Sequence, residues 1–268
     1  MIDFKVSVVI PFYKDNISAL EKIALEQAKK ILSGYPIIAI KPQSLILPDE
    51  LNDFPFTDVM SFDDKYFKDI QGYNALMLAD TFYGQFLAYD YILIHQLDAF
   101  VFKDELSYWC KQGYDYIGAP WISHYKYSDF VKAIKSKIQY KWHTRFNVQR
   151  EGLPSPMQFE RKIGNGGFSL RRVHKFYELS ISMKVQMQVY LTNNHHRFNE
   201  DVFWSVEVNR KRNHLRIPSY KKGLKFSIEL LPEKALKLNN NEIPFGCHAW
   251  DKHLDFWRPI FKNYGYHI

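Results

Sequence analysis

Cysteine is almost absent from the sequence. Only Cys110 and Cys247 occur among 268 residues, far apart and without a CxxC pair. This scarcity excludes a disulfide framework and a cysteine-based zinc site, and a reducing cytoplasm is the expected compartment. The start, MIDFKVSVVIPFY, lacks the charged region, long apolar run and cleavage site of a signal peptide. No apolar run reaches the length of a transmembrane helix.

Acidic residues are fewer than basic residues, and two common nucleotide-binding loop motifs are missing. Basic residues exceed acidic ones, and the formal net charge is +7 at pH 7. This excess indicates an anionic partner, which could be a nucleotide, a phospholipid surface or nucleic acid. No GxGxxG follows the first predicted strand, which argues against a dinucleotide oxidoreductase. KIGNGGFSLRR lacks the Lys-Ser/Thr pair of a phosphate loop.

Hydrophobic residues are plentiful, at 46% of the chain with 17% aromatic, which is enough for one large core. The first half alternates between strand-like and helix-like patterns. VSVVIPFY and PIIAIKP are strand-like, whereas Ile17 to Leu32 and, after TDVMSF, GYNALMLADTFYGQFLAYD are helix-like. This rhythm predicts an α/β fold with a mostly parallel sheet covered by helices.

The apolar run YILIHQLDAFVF, from Tyr91 to Phe102, contains a carboxylate at an unexpected place. Such a run predicts a central strand, and Asp98 then lies at or just past its carboxyl end. Ligands of parallel sheets bind beyond these ends, so Asp98 is a candidate site residue. The alternative is an aspartate that caps a turn.

Three segments of the second half carry further candidates. The glycines around Asn165 either allow close approach to a ligand or form a plain β-turn. Glu200 and Asp201, in NEDVFWS, either cap a helix or supply a general base whose pKa is raised by aromatic neighbours. His248, in PFGCHAW, is either a core histidine or, if it meets Asp98, a ligand of Mn²⁺ or Mg²⁺.

Six motifs occur in a recognisable order: VSVVIPFY, LIHQLDAFVF, GYDYIGAPW, GNGGFSLR, NEDVFWS and PFGCHAW. Together they resemble a family of bacterial GT-A-type glycosyltransferases long described only as a domain of unknown function. The resemblance covers nearly the whole chain. It implies a GT-A-like α/β fold with a mostly parallel central sheet, flanking helices and a basic, aromatic insertion.

The resemblance also implies roles for individual residues. The triplet QLD matches the family's Asp-x-Asp motif, so Asp98 would bind a divalent metal, while Gln96 departs from the usual acidic residue. His248 matches a late histidine of the metal shell, and Asp201, with Glu200 beside it, matches the catalytic base. The predicted donor contacts are Pro11, Phe12, Tyr13, Lys41, Tyr73, Asn74, Gln96, Asn165, Gly166 and Gly167.

These roles predict a metal-dependent, inverting glycosyltransferase that moves a hexose from a UDP-sugar to a surface glycan or lipid-linked glycan. The metal, Mn²⁺ or Mg²⁺, would stabilise the diphosphate leaving group, and a carboxylate would deprotonate the acceptor hydroxyl. We expect no nucleic acid partner. One alternative is a nucleotidyltransferase, disfavoured because PFYKDN offers only Lys14 after the first strand. The other is a non-catalytic module that binds glycan or RNA.

We predict one domain over residues 1–268, in which 1–121 form the nucleotide-binding half and 163–268 the acceptor and catalytic half. Residues 122–162 are predicted to form a partly helical insertion, whose basic and aromatic residues could hold RNA, a membrane surface or an acidic saccharide. They could equally form a solvated helix face. Peripheral association with the inner face of the membrane is a further expectation. Its predicted contacts are Lys132, Lys135, Lys137, Lys141, and Trp142 or Tyr140.

Overall fold

The structure, a computed structural model, describes residues 4–122 and 130–268, so residues 123–129 of the predicted insertion lie outside it. The strands are β1 (Val6–Pro11), β2 (Ile37–Pro42), β3 (Asp58–Phe62), β4 (Tyr91–His95), β5 (Phe100–Val101), β6 (Tyr116–Ile117), β7 (Gln149–Arg150), β8 (Leu153–Pro154), β9 (Phe168–Arg172), β10 (Ser227–Ile228) and β11 (Gly246–Cys247). The α-helices are α1 (Ala19–Leu32), α2 (Ile70–Leu78), α3 (Asp80–Gly84), α4 (Leu106–Lys111), α5 (Phe130–Arg145), α6 (Val173–Ser182), α7 (Lys184–Leu191), α8 (Glu200–Val202), α9 (Tyr220–Phe226), α10 (Pro232–Leu238) and α11 (Leu254–Lys262).

The central sheet has six strands in the order β3-β2-β1-β4-β9-β6. Strands β1 to β4 pair in parallel, whereas β9 runs antiparallel to both β4 and β6. Every residue of β1 and β4 is buried, because helices cover both faces of the sheet. The predicted mostly parallel α/β architecture is therefore confirmed.

Helix α1 shows how local sequence sets an element's boundary. Ser18 and Glu21 form a capping box, in which each side chain accepts a hydrogen bond from the other residue's backbone N–H. The helix therefore begins at Ala19, two residues later than the predicted start at Ile17. Ala24, Ala28 and Leu32, four residues apart, are buried against the sheet.

The single helix predicted from GYNALMLADTFYGQFLAYD is wrong, because the structure divides this segment into α2 and α3. Ala79 is extended between them, with φ −79° and ψ 133°. The carbonyl of Met77 accepts hydrogen bonds from Tyr83 Oη at 2.8 Å and Trp204 Nε1 at 3.2 Å. These side-chain donors satisfy a carbonyl that the end of the helix leaves without an intrahelical partner, so α2 can end at Leu78.

A smaller sheet, in the order β10-β11-β5, brings distant segments to the edge where β1 and β4 end. Its antiparallel register pairs Cys247 with Phe100, which sets His248 next to the turn containing Asp98. Among the described helices, none is both long and apolar enough to cross a membrane.

Candidate functional site

A cleft of about 550 Å³ lies beyond the carboxyl ends of β1 and β4. This is the edge at which ligands of parallel sheets bind. The cleft is lined by Pro11, Tyr13, Phe67, Lys68, Asp69, Ile70, Tyr73, Asn74, Gln96, Asp98, Asn165, Gly166, Gly167, Asn199, Glu200, Asp201, His248 and Lys252.

Gln96, Asp98, Glu229 and His248 form one group of contacts, here called the histidine cluster. The Nε2 atom of His248 lies 3.0 Å from Asp98 Oδ1 and 3.0 Å from Gln96 Oε1. Its Nδ1 atom lies 3.4 Å from Glu229 Oε1. Three oxygen-bearing side chains therefore surround one buried imidazole.

The histidine cluster shifts the pKa values of both its central groups. Burial favours the neutral imidazole, but the contacts with Asp98 and Glu229 outweigh burial and raise the pKa of His248 to about 10. Burial likewise opposes ionisation of Asp98, yet the hydrogen bond and charge of His248 lower its pKa below the usual value. The pair is thus an imidazolium and a carboxylate at neutral pH.

The glycine segment 164–167 packs tightly against this cluster. A side chain at Gly167 would place its Cβ 2.0 Å from His248 Nε2, and one at Gly166 would lie 2.0 Å from Glu200 Oε1. Asn165 closes the loop, because its Oδ1 accepts from Gly167 N at 2.7 Å and its Nδ2 donates to Glu229 at 2.6 Å. The glycines are required here by the close approach of protein side chains.

Asn199, Glu200 and Asp201 form a second group, here called the carboxylate turn. Both carboxylate oxygens of Glu200 accept from Arg171, at 3.0 and 3.1 Å, and this ion pair is buried. The backbone N–H of Glu200 donates to Asn74 Oδ1 at 3.0 Å. Glu200 is therefore held on both sides by buried partners.

Asp201, the next residue, lies in a different electrostatic environment from Glu200. Burial, together with the charges of Glu200 and Glu229, raises its pKa to about 8. Its Oδ1 accepts from the backbone N–H of Val202 at 2.8 Å, which fixes the side chain at the helix start. A carboxylate with this pKa can accept a proton near neutral pH.

The cleft brings together most of the predicted site residues. Those that line it are Pro11, Tyr13, Tyr73, Asn74, Gln96, Asp98, Asn165, Gly166, Gly167, Glu200, Asp201 and His248.

Two predicted donor contacts, Phe12 and Lys41, do not line the cleft. Phe12 is 1% exposed and packs edge-on against Phe56, because successive side chains of an extended chain point to opposite faces. The Nζ atom of Lys41 donates to the carbonyls of Pro42 and Leu45. Each side chain therefore already has a structural role.

Several residues of the site escaped the sequence analysis. Lys252 stands four residues after His248, and this spacing in HAWDKH is a signal that could have found it. Asp69 caps α2 by accepting from Gly72 N at 2.8 Å. Glu229 reaches His248 only through the pairing of β10 with β11, for which the sequence carries no local signal.

Across residues 4–122 and 130–268, no three or more His, Cys, Asp and Glu side chains group so as to hold a metal ion. Asp98 and His248 are two such side chains, and the third atom that meets them is the amide oxygen of Gln96. A carboxylate, an amide oxygen and a neutral imidazole are all ligands of divalent cations, and the two distances of 3.0 Å bring these three side chains to one place. They could contribute to a cation site once His248 gives up its proton to make room for the metal.

Comparison with known proteins identifies a family and a fold. Residues 56–248 match the family described as "Protein of unknown function (DUF5672)". No curated protein gives a significant match. A similar solved structure is that of the galactosyltransferase LgtC in complex with donor and acceptor sugar analogs, with a TM-score of 0.50 and 11% identity over 90% of this chain and 86% of that chain. At this identity the likeness shows the fold alone, and it confirms the predicted GT-A-like fold.

Proposed function

The chain belongs to the DUF5672 family, whose description gives no activity, and we propose that it is a metal-dependent, inverting glycosyltransferase. One observation carries the proposal: a single cleft contains Asp98, whose pKa is lowered, and Asp201, whose pKa is raised to about 8. Sugar transfer from a nucleotide-diphosphate donor requires a stabilised leaving group and a base for the acceptor hydroxyl. Two carboxylates with opposite pKa shifts can divide these roles.

The histidine cluster is proposed to bind the cation, Mn²⁺ or Mg²⁺, through Asp98, His248 and Gln96. Glu229 lies at the other ring nitrogen of His248, an arrangement by which carboxylates commonly orient metal-binding imidazoles. In the protein alone, the proton on His248 supplies the positive charge between these oxygens. The cation, when bound, would neutralise the developing charge of the diphosphate.

Asp201 is proposed to be the base that removes the proton of the acceptor hydroxyl. Glu200 was predicted beside it as a catalytic residue, but its two oxygens already accept from Arg171. We therefore propose Glu200 as a positioning residue, which keeps a negative charge next to Asp201. This charge contributes to the raised pKa of Asp201.

The remaining lining residues support an anionic donor and a sugar acceptor. Lys68 and Lys252 add positive charge to the cleft, as a diphosphate requires. Pro11 and Tyr13, at the end of β1, are proposed to contact the base of a UDP-sugar, and the acceptor would be a glycan or lipid-linked glycan. The cytoplasm is the proposed compartment, a choice supported by the two buried free cysteines.

Thermal unfolding with UDP, with Mn²⁺ and with both together tests the proposal. Ligand binding raises the melting temperature because it stabilises the folded state, by about 2.7 kcal/mol at a hundredfold excess over Kd. We expect the wild type to respond to the combination, and Asp98→Ala to lose the metal-dependent part while still folding. An unchanged metal-dependent response in Asp98→Ala would exclude the assigned cation site.

Reaction products separate the alternatives. Incubation with a panel of nucleotide sugars should release a nucleoside diphosphate slowly, by transfer to water. A nucleotidyltransferase would instead release inorganic diphosphate from a nucleoside triphosphate. A glycan- or RNA-binding module would give neither product and no thermal response to UDP.

A further inference from the structure

Helix α5 exposes a row of large apolar side chains on its outward face. Ile134, Ile138 and Trp142 of α5, and Phe146 in the turn directly after it, follow one another at intervals of four residues and are 43%, 63%, 59% and 58% exposed. Side chains at this spacing share one face of a helix. The rings of Trp142 and Phe146 contact each other, with centroids 4.2 Å apart. We call this row the apolar row of α5.

The inward face of α5 is firmly packed, so the outward face has a defined orientation. Ser136 and His143 are buried, and His143 Nδ1 lies 2.9 Å from Ser155 Oγ. Arg145 Nη1 donates to the carbonyl of Arg210 at 2.8 Å. The apolar row therefore cannot turn inward without breaking these contacts.

Positive charge surrounds the apolar row. Lys135, Lys137 and Lys141 are exposed, and residues 130–150 contain no aspartate or glutamate. Near an anionic lipid surface, each lysine or arginine adds to the attraction, and the hydrocarbon stems of lysine can lie along apolar surface. Tryptophan favours the boundary between lipid and water.

A second exposed apolar surface, on α6 and α7, differs in charge. Ile181, Val185 and Val189 are 45%, 81% and 53% exposed. The nearby Lys184 is paired with Asp80, 3.0 Å away. Apolar exposure alone therefore does not distinguish α5; the combination of apolar exposure with exposed lysines does.

We propose that the apolar row of α5 and its flanking lysines bind an anionic lipid surface. A soluble polyanion such as RNA would be attracted by the lysines, but it would leave the isoleucines in water. A membrane interface receives both kinds of side chain at once, as it does for other basic amphipathic helices. Tyr140, predicted as an interfacial residue, lies on the inward half of the helix and is only partly exposed.

The position of this surface connects it with the cleft. Arg197 Nη1 donates to the carbonyl of Pro154, in the hairpin that follows α5, at 3.1 Å. The carboxylate turn begins two residues after Arg197. On the proposed function, a lipid surface bound through α5 is also the surface that would carry a lipid-linked acceptor.

Sedimentation with vesicles tests the surface without any sugar donor, so its failure is separate from failure of the proposed function. The wild type should bind phosphatidylcholine vesicles that contain phosphatidylglycerol, and not pure phosphatidylcholine vesicles. Binding should weaken as salt rises to about 1 M, where the screening length is about 3 Å. A blue shift of tryptophan fluorescence on binding should vanish in Trp142→Phe/Ile138→Ser if that face enters the interface.

Paired variants identify the residues involved. Ile138→Ser/Trp142→Ser should weaken vesicle affinity by at least about tenfold, because it removes apolar area from the interface. Lys135→Glu/Lys141→Glu should weaken it by about a hundredfold or more, since both charges are reversed. The control Val185→Ser/Val189→Ser, matched in exposure, should bind as the wild type does.

Three outcomes would overturn the proposal. The wild type could ignore anionic vesicles at low salt. The Ile138→Ser/Trp142→Ser variant could keep full affinity, which would leave only charge attraction of the kind that RNA would also provide. The Val185→Ser/Val189→Ser control could lose affinity as strongly as the α5 variants, which would assign binding to another surface.

Discussion

The two aspartates of the cleft lie in opposite surroundings. Burial disfavours the charged form of both Asp98 and Asp201. Asp98 touches the imidazolium of His248 at 3.0 Å, and its pKa falls. Asp201 adjoins the carboxylate of Glu200, and its pKa rises to about 8. The comparison teaches that burial raises the pKa of an aspartate unless an adjacent cation outweighs it, as His248 does for Asp98.

A cation is also present near Asp201, but its charge is already engaged. Arg171 lies in the core and binds both oxygens of Glu200, and its Nη1 also donates to Tyr83 Oη at 2.9 Å. Arg171 therefore makes an ionised Glu200 possible, and Glu200 in turn opposes ionisation of Asp201. Arg171 thus compensates the buried charge of the carboxylate turn, as His248 compensates the charge of Asp98 in the histidine cluster.

The largest expected effect comes from breaking that ion pair. Arg171→Met should lower the free energy of unfolding by about 3–5 kcal/mol, because it leaves Glu200 buried without its cation. Urea unfolding followed by circular dichroism measures this change. Arg258→Met is the control, since Arg258 pairs with Asp255 where the two side chains are 53% and 99% exposed. That variant should cost about 1 kcal/mol or less. Equal losses in the two variants would contradict the assigned importance of the buried pair.

The next effect separates the two aspartates by function. Asp201→Asn keeps the size and the hydrogen bond from Val202, but cannot accept a proton, so transfer should fall by about a hundredfold or more. That loss corresponds to about 2.7 kcal/mol. Affinity for UDP and Mn²⁺, measured by calorimetry, should stay within about twofold of the wild type. Asp98→Asn should show the opposite pattern, because its main loss should be in the metal-dependent affinity for UDP. If Asp201→Asn turns over normally, Asp201 is only a helix cap.

The wild-type pH profile belongs to the same comparison. Because Asp201 must be ionised to act as the base and its pKa is about 8, kcat/KM should rise with pH through about 8 and then level off. A rate that is flat across this range would indicate another base. Each rate is measured at a saturating donor concentration, so that a change in donor affinity with pH does not alter the profile.

A smaller effect concerns the glycines that join the two groups. Gly167→Ala would bring a Cβ to 2.0 Å from His248 Nε2 and 2.5 Å from Gln96 Oε1, so the imidazole must move. Metal-dependent affinity for UDP should fall by about tenfold, or about 1.4 kcal/mol. Gly34→Ala is the control, because no atom lies within 4 Å of its added Cβ. Retained affinity in Gly167→Ala would mean that the histidine cluster tolerates displacement.

Sequence patterns predicted the parts of the molecule that depend on local order. The β-branched runs of β1, β2 and β4 and the period of α1 were read correctly, because each is set by residues near in the chain. The position of Asp98 at a strand end followed from the same patterns. His248 was predicted by its order among the motifs, and the pairing of Cys247 with Phe100 supplies the physical reason for its proximity.

What sequence patterns missed depends on contacts between distant segments. Glu229 meets His248 through strand pairing, and Arg171 meets Glu200 in the core, across 29 residues of chain. The break at Ala79 follows from donors on Tyr83 and Trp204 that satisfy the Met77 carbonyl. None of these partners has a periodic or compositional signature.

The smallest expected effect is a change in stability of about 1.4 kcal/mol for each pH unit, and it tests the raised pKa of Asp201 without any substrate. Between about pH 4, the unfolded value, and about pH 8, the folded value, the unfolded chain ionises Asp201 while the folded protein keeps it protonated. The folded state then binds more protons, so stability falls as pH rises through this window. Asp201→Asn removes this dependence. The variant should therefore match the wild type near pH 4, and the difference in melting temperature should widen by a few degrees for each pH unit up to about 8, since one pKa unit is about 1.4 kcal/mol and 1 kcal/mol corresponds to about 2–4 °C in a large domain. Calorimetry with a chelator present measures the difference.

His248, with its pKa raised to about 10, also loses stabilising effect as pH rises, but it does so equally in both proteins and cancels from the comparison. A constant difference in melting temperature at every pH would show that Asp201 ionises normally in the folded protein, and the contrast between the two aspartates would then be lost.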